Sequence, residues 1–249
     1  MAIDFDGTND GLDVDISAFG ATISSIFLHG YFHYDTAGTI RNIVRFRDSG
    51  DNTKFVRLTR TSGTVTLRIQ NGTGNQRNYG ISGLSAGTWY GFQMYAIGTS
   101  GTLYSGLRIW NNNTIAGAWD TVDPDAGTPL VPSNLDTCHF GYNGLGLEFW
   151  DGRLAEFWLH TAFDPEGTTG DSTGVPLANA LGNNNSPLYI MSPVYDYFGA
   201  LWHYWPMRSA SHLTDVFNKA ALTLVDAPAS HLSHPKIKAR RFGRSAVVR

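Results

Sequence analysis

Apolar and polar residues alternate along much of the chain with the two-residue period of a β-strand. In residues 12–16 three apolar side chains alternate with two aspartates, and residues 64–70 repeat the pattern with polar partners. Residues 23–34 and 89–97 carry large apolar side chains on both faces. Alternation places one face of a strand in a core, and a nearly continuous apolar run indicates a strand covered on both sides.

The longest such pattern lies in residues 140–163. We predict a β-hairpin there, with a first arm at residues 145–150, a turn at Asp151-Gly152 and a second arm at residues 153–161. Asp-Gly between two apolar runs is a strong hairpin signal, because both residues tolerate the positive φ of a type I′ turn. The period predicts two faces for the second arm, with Ala155, Phe157, Leu159 and Thr161 on one and Leu154, Glu156, Trp158 and His160 on the other.

Many short strands joined by turns predict the fold class. Further strands are expected at residues 41–47, 55–60, 107–110, 200–206 and 221–225, and short helical turns near residues 164–166 and 175–181. The 28 glycines and ten prolines suit frequent turns. We therefore predict an all-β, two-sheet antiparallel jelly-roll sandwich over residues 1–235, with one or two short helical turns. Its core should include Trp89, Phe92, Phe157, Leu159 and Trp205.

Composition and charge narrow the classes of function. Charged residues make up only 16% of the chain and aromatic residues 13%, which favours a packed fold over disorder. The net charge is −3, but residues 236–249 hold six basic residues and no acidic one. That leaves 12 basic against 21 acidic groups, or −9, for residues 1–235. A body this acidic argues against nucleic acid as a partner.

The setting of the protein is indicated by features that the sequence lacks. Cys138 is the only cysteine, so no disulfide can form within the chain. The first residues have no basic and apolar signal-peptide pattern, and no apolar run reaches about 18 residues. We expect synthesis in a reducing cytosol, with neither a membrane nor a cofactor involved.

Several segments carry a family resemblance. Residues 4–10 (D-F-D-G-T-N-D), 87–90 (G-T-W-Y) and 151–158 (D-G-R-L-A-E-F-W) resemble laminin-G-like, concanavalin A-like jelly-roll domains. The closing segments, W-H-Y-W-P-M at residues 202–207 and L-T-L-V-D-A-P at residues 222–228, are similar to such domains in tailed-bacteriophage virion proteins. The fold hosts lectins, glycosidases and structural modules, so it does not by itself decide function.

The resemblance implies a non-enzymatic structural protein on the surface of a tailed-phage virion, as a capsid decoration or tail-associated protein, after synthesis in the host cytoplasm. Expected partners are other virion proteins, copies of the same chain, and a cell-surface or environmental glycan. A free carbohydrate-binding lectin module is the alternative, and a glycoside hydrolase is the second alternative.

Two kinds of chemistry have weak sequence support. Glycosidases of this fold use Glu-x-Asp-x-x-Glu on one strand face, and the nearest set here is Glu148, Asp151 and Glu156, in which Glu148 and Glu156 could approach across the hairpin. A retaining pair needs carboxyl groups about 5–5.5 Å apart. Aspartates within residues 4–15 offer oxygen ligands for calcium but lack the spacing of a dedicated loop. We predict no catalytic residue and no metal site.

Aromatic and amide side chains supply a candidate glycan site. Aromatic faces stack on sugar rings, and asparagine amides hydrogen-bond to hydroxyl groups. Trp110 stands beside Asn111 and Tyr142 beside Asn143, and Trp119 is a further aromatic residue of this kind. The candidate residues are Trp110, Asn111, Trp119, Tyr142 and Asn143.

The basic segment at residues 236–249 is the candidate assembly arm. It has neither strand nor helix period, so it has little power to fold alone. Its basic residues with an interspersed phenylalanine suit docking onto an acidic, partly apolar groove of a neighbouring chain. The arm residues are Lys236, Lys238, Arg240, Arg241, Phe242, Arg244 and Arg249.

Deleting residues 236–249 should leave a folded sandwich that no longer joins its particle, because the arm contributes contacts to the neighbour and not to the core. Mass spectrometry of purified particles measures the occupancy, and the melting temperature checks the fold. Undiminished occupancy of the truncated chain would contradict the assignment of the arm.

Overall fold

The computed structural model describes residues 2–15, 23, 25–73, 76–99, 102–111, 114–121, 125–126, 132, 134–161, 202–207, 213, 222–226 and 228–231. The strands are β1 Ala2–Asp6, β2 Gly11–Asp15, β3 Ser25–Tyr34, β4 Arg41–Asp48, β5 Asp51–Thr61, β6 Thr64–Asn71, β7 Gln76–Ile81, β8 Trp89–Thr99, β9 Thr102–Asn111, β10 Thr114–Thr121, β11 Asp125–Ala126, β12 Thr137–Phe140, β13 Asp151–His160, β14 Trp202–Trp205, β15 Leu222–Val225 and β16 Ala229–His231. No helix in this part of the chain is long and apolar enough to cross a membrane.

The strands form two antiparallel sheets. The first sheet has the order β10-β9-β8-β3-β13-β1-β16, with β11 paired to β9 and β14 paired to β13. The second has the order β15-β2-β12-β4-β5-β6-β7. Strands that are neighbours in a sheet are often distant in sequence, as in a jelly roll. This arrangement confirms the predicted all-β, two-sheet antiparallel jelly-roll sandwich.

The core lies between the two sheets and is built by the predicted alternation. Every second side chain of β6 enters it, namely Val65, Leu67 and Ile69, while the polar residues between them face outward. In β3 the core side chains are Ile26, Leu28, Phe32 and Tyr34. Burial of these apolar faces is the main driving force for the sandwich.

The predicted hairpin at residues 145–161 is wrong in its first half. Residues 141–150 form an irregular loop, and Asp151-Gly152 lies inside β13, where it pairs with β1. Gly152 has φ +136°, and a Cβ there would lie 2.1 Å from the carbonyl oxygen of His33. The glycine that suggested a turn is therefore required by close packing between strands. The predicted second arm is confirmed as a strand.

A β-bulge changes the faces of β13. Ala155 pairs with Tyr31 and Trp158 with His29, so Glu156 and Phe157 together face the single residue Gly30. Glu156 has φ +56°, in the left-handed region. The side chains of Leu154, Phe157 and Leu159 consequently all enter the core, although the strict period placed Leu154 on the opposite face.

Four of the five expected core residues are confirmed. Phe92, Phe157, Leu159 and Trp205 are buried in the core between the sheets. Trp89 is only half-buried, because it is the first residue of β8 and the core positions of that strand are the even-numbered ones from Tyr90 onward. The predicted helical turns at 164–166 and 175–181, and the assembly arm at 236–249, lie outside the described residues.

Phe157→Ala should lower the free energy of unfolding by about 3–5 kcal/mol, because it leaves a cavity at the centre of the core. Phe157 touches Phe92 of the first sheet and Phe140 of the second, at ring-centroid distances of 5.7 and 4.7 Å. Chemical denaturation measures the change, with Leu224→Ala, a 39% exposed residue, as the control. An unchanged midpoint for Phe157→Ala would contradict this packing.

Candidate functional site

A row of polar side chains crosses the outer face of the second sheet. The strand register sets Asp13 beside His139, His139 beside Arg45, Arg45 beside Arg57, and Arg57 beside Arg68. Neighbouring strands lie about 4.8 Å apart, so three arginines succeed one another at that interval. We call Arg45, Arg57 and Arg68 the arginine row.

The arginine row surrounds one aromatic ring. The Cζ atoms of Arg45, Arg57 and Arg68 lie 4.7, 5.1 and 5.5 Å from the ring centroid of Phe55. At such distances a guanidinium is attracted to the negative face of the ring. Phe55 therefore acts as the centre on which three cationic side chains of adjacent strands are ordered.

Positive charge is in excess at this site. Arg47 lies on the same face of β4 as Arg45, two residues further along the strand. In the part of the chain that the structure describes, Glu148 is the only carboxylate paired with these four arginines, with 3.2 Å between Arg57 Nη1 and Glu148 Oε2. Burial, together with the charges of Arg57 and Arg47, lowers the pKa of Arg45 to about 10. Burial also lowers the pKa of Arg57.

The arginines have neutral partners as well. Arg45 donates to the carbonyl oxygens of Asn143 and Asn52, each at 3.1 Å. Arg68 donates to the side-chain oxygens of Gln70 at 2.8 Å and of Gln76 at 2.5 Å. These bonds fix the orientation of the guanidinium groups without neutralising their charge. The row therefore retains the charge needed to bind an anion.

The loop of residues 141–150 forms one wall of the site. The Asn42 side chain donates to the Tyr142 carbonyl at 2.6 Å, and the Asn42 amide donates to the Glu148 carbonyl at 2.9 Å. Inside the loop, the Asn143 side-chain oxygen accepts from the amides of Leu145 and Leu147. The loop is thus held against β4 and also internally braced. At its tip Leu145 and Leu147 are 44% and 62% exposed.

Asp13 lies at the β2 end of the line of polar side chains, where His139 separates it from Arg45. Its side chain accepts a hydrogen bond from the Tyr142 hydroxyl and lies 2.7 Å from His139 Nδ1. Burial acts to raise the pKa of Asp13, but the hydrogen bonds with His139 and Tyr142 outweigh it and hold the pKa below its usual value. Burial and the bond to Asp13 raise the pKa of Tyr142. This group ties the loop to β2 and β12.

Two of the five predicted glycan residues lie at this site. Tyr142 and Asn143 belong to the loop wall, yet both are buried, at 7% and 4% exposure. The Tyr142 ring packs on Gly11, where a Cβ would come within 2.4 Å of it, and stacks on Phe149. The expectation that Tyr142 offers an exposed stacking face is therefore wrong, because its ring and hydroxyl are used to hold the loop.

The other three predicted residues belong to the first sheet. Trp110 is fully buried, and its indole lies flat over Gly91, where a Cβ would approach it within 2.3 Å. It stacks on His29 at 5.6 Å, so it is not the exposed platform expected from the sequence. Asn111 is half-buried at the end of β9. Trp119 lies in β10, and its side chain is not described.

The three acidic residues considered for hydrolysis do not meet. Glu148 pairs with Arg57 on the outer face of the second sheet. Glu156 is buried on the outer face of the first sheet, where its side chain accepts a hydrogen bond from the Tyr204 hydroxyl. The core separates the two, so the approach that the predicted hairpin would have allowed does not occur. Asp151, the first residue of β13, accepts a hydrogen bond from the Thr36 hydroxyl.

The side chains that could bind a metal ion are also dispersed in the part of the chain that the structure describes. Among the side chains that the structure describes, no three His, Cys, Asp or Glu residues are close enough to hold one ion. In the aspartate-rich opening, Asp4 pairs with Arg153, and Asp6 accepts bonds from the Thr8 and Asn9 amides. These aspartates thus serve an ion pair and a turn.

The arginine row was not among the residues singled out from the sequence. Part of its signal was present, because Arg45 and Arg57 lie in two successive predicted strands, at residues 41–47 and 55–60, which are separated by a short polar segment. Arg68 is one of the polar residues of the alternating pattern predicted at residues 64–70. Counting back from the turn at residues 62–63 sets Arg57 beside Arg68. The same count from the loop at residues 48–52 does not set Arg45 beside Arg57, because the register shifts between Arg47 and Asp48.

No protein-family model matches this chain, and no curated protein sequence matches it. Solved structures with a similar arrangement include domains LG4-5 of the mouse laminin alpha1 chain, at 14% identity and a TM-score of 0.43 over 64% of this chain and 40% of that one. The CBM40 of the Ruminococcus gnavus IT-sialidase, bound to α2,3-sialyllactose, is 12% identical with a TM-score of 0.45 over 62% of this chain and 88% of that one.

A third similar structure is the enzymatically active domain of tailspike protein 2 of bacteriophage CBA120. It is 15% identical, with a TM-score of 0.45 over 70% of this chain and 31% of that one. The chain thus spans less than half the length of the laminin and tailspike chains that it resembles.

The buried His29 predicts that stability falls in acid. Burial and the charge of Arg108 lower its pKa to about 3, against about 6.5 in an unfolded chain. Between these values the unfolded state binds a proton that the folded state does not, so the free energy of unfolding should fall as the pH drops from about 6.5 to about 3. The loss is on the order of 5 kcal/mol at most.

Urea denaturation at several pH values measures this effect. His29→Gln cannot titrate, so its stability should vary less than that of the parent protein between pH 6.5 and 3. The difference between the two curves isolates His29 from all other groups. Parallel curves would contradict a neutral, buried His29.

Proposed function

We propose that this protein is a non-catalytic, carbohydrate-binding jelly-roll module whose site is the outer face of the second sheet. The observation that carries the proposal is the arginine row, in which three guanidinium groups on adjacent strands are ordered around Phe55 beside the Glu148 carboxylate. Guanidinium groups hydrogen-bond to hydroxyls and oxyanions in a fixed planar geometry.

The amide side chains around Arg68, at the β6–β7 end of the arginine row, support the same proposal. Gln70 and Gln76 lie beside Arg68, and Asn78 of β7 is its register partner, exposed to solvent. Amide side chains offer both donors and acceptors, which suits the mixed hydrogen bonding of sugar hydroxyls. The open side of the site is therefore the β6–β7 side, opposite the loop of residues 141–150.

The separation of Glu148 from Glu156 supports a binding rather than a hydrolytic role. Each carboxylate has its own partner on a different sheet, Arg57 for Glu148 and Tyr204 for Glu156, and the core lies between them. The carboxylate pair of a glycosidase needs both groups on one face.

We propose the surface of a tailed-phage virion as the setting of this module. The support comes from the sequence: the resemblance of its closing segments to phage virion domains, and a net charge of −9 over residues 1–235 beside a basic arm. Other virion proteins and copies of this chain are then its assembly partners. Absence of the chain from purified particles would contradict this setting.

A glycan array tests the binding function. The parent protein should bind at least one class of glycan, and Arg68→Gln should weaken that binding about tenfold or more, because a charge-assisted hydrogen bond is lost. Asn111→Ala, on the other sheet, is the matched control and should bind as the parent does. Binding lost in Asn111→Ala but kept in Arg68→Gln would move the site to the first sheet, and a silent array would contradict the function.

A further inference from the structure

Glu148 occupies an unusual backbone position beside the arginine row. Its φ is +58°, in the left-handed region that residues other than glycine seldom adopt. The hydrogen bond from the Asn42 amide to its carbonyl holds the backbone in place. As a result its side chain reaches over β5 and meets Arg57, which places a carboxylate on the middle arginine of the row.

The contact between Glu148 and Arg57 is long for a charge-assisted bond. One nitrogen, Arg57 Nη1, lies 3.4 Å from Oε1 and 3.2 Å from Oε2. Strong guanidinium–carboxylate pairs have distances of about 2.7–2.9 Å and often use two nitrogens. The side chains are 13% and 19% exposed, so both reach solvent at this point. An incoming carboxylate can therefore form a better pair with Arg57 than Glu148 does.

Arg68 adds a second cation on the open side. It is the register partner of Arg57, and its side chain donates hydrogen bonds to the neutral amides of Gln70 and Gln76. A carboxylate between Arg57 and Arg68 would face the guanidinium groups of two register partners on strands about 4.8 Å apart. The resident carboxylate of Glu148, in contrast, is paired with Arg57.

We propose that the ligand is an acidic sugar whose carboxylate binds between Arg57 and Arg68, and that Glu148 is a built-in competitor that the ligand displaces from Arg57. This inference rests on the proposed carbohydrate-binding function and adds to it the charge of the ligand and a restraint on its affinity. In the free protein Glu148 holds Arg57 in place, and it limits binding to anions that form a stronger pair with Arg57 than Glu148 does.

Matched glycan pairs test the charge of the ligand. Oligosaccharides of glucuronate, galacturonate and sialic acid are each compared with their carboxyl-reduced counterparts by titration calorimetry. The acidic member of at least one pair should bind about tenfold or more tightly, since reduction removes a charge-assisted interaction. Its affinity should also fall as sodium chloride is raised.

Variants of the site test the competition. Glu148→Gln should tighten binding of the acidic sugar about two- to fivefold, the range expected when a weak, partly exposed ion pair no longer competes. Arg57→Gln should weaken it about tenfold or more. The matched controls are Lys54→Gln, which removes a cation of β5 that pairs with Asp48 and Asp51, and Asp35→Asn, which removes an anion at the first sheet. Both should bind as the parent does.

The outcomes separate this inference from the proposed function. Equal binding of acidic and reduced sugars, lost in Arg68→Gln, would overturn the inference and leave the binding function standing. Weaker or unchanged binding of the acidic sugar by a folded Glu148→Gln would overturn the role of the competitor, and a matching melting temperature establishes that the variant is folded. If Lys54→Gln lost as much affinity as Arg57→Gln, the binding would depend on the overall positive charge of the surface and not on a carboxylate site at Arg57, which would overturn the inference.

Discussion

The loop of residues 141–150 is the constraint on which both the core and the site depend. It carries the chain from β12 in the second sheet to β13 in the first, and its ends meet where the Trp150 amide donates to the Gly141 carbonyl. Positive φ angles at Gly141, Gly144 and Gly146 let it turn back on itself. Closing the loop places Trp150 in the core and leaves Glu148 on the outer face.

The arginine row opposes the stability of the sheet that carries it. Like charges directly opposite on neighbouring strands repel, and partial burial removes water that would screen them. The Phe55 ring, the carbonyls of Asn143 and Asn52, and the Glu148 carboxylate offset part of that cost. An arrangement that costs stability and needs several kinds of compensation is characteristic of a functional surface more than of a structural one.

Sequence reasoning recovered the sandwich because the fold is a consequence of period and burial. The alternation in β6 assigned its core face correctly, and Phe157 and Trp205 are buried as expected. It failed where backbone geometry departs from the period. Gly152 was taken for a turn residue although it serves close strand packing, and the bulge at Glu156 reversed the face of Leu154. A glycine or an acidic residue in a strand does not reveal such geometry in advance.

The site was harder to predict than the fold because it depends on register. Tyr142 and Asn143, which were predicted as glycan-binding residues, lie beside it as parts of the loop wall. Trp110 stacks on His29 within the buried outer face of the first sheet, since Gly91 leaves room for the indole to lie flat. Aromatic content alone could not distinguish these positions from an exposed platform.

The outer faces of the two sheets differ in how far their cationic side chains reach solvent, which supports the proposed site on the second sheet. On the first sheet, burial keeps His29 neutral by lowering its pKa to about 3, and raises the pKa of Tyr31. The charged side chain of Arg108 lies on the same face, but it is buried, at 4% exposure, and its Nε donates to the Gln93 side chain at 2.6 Å. On the second sheet, the guanidinium groups stay charged even where burial lowers the pKa of Arg45 to about 10, and Glu148 holds one of them at a distance that favours exchange. Charge that persists despite burial, beside a weakly bound resident anion, is the physical condition for selective recognition of an acidic ligand.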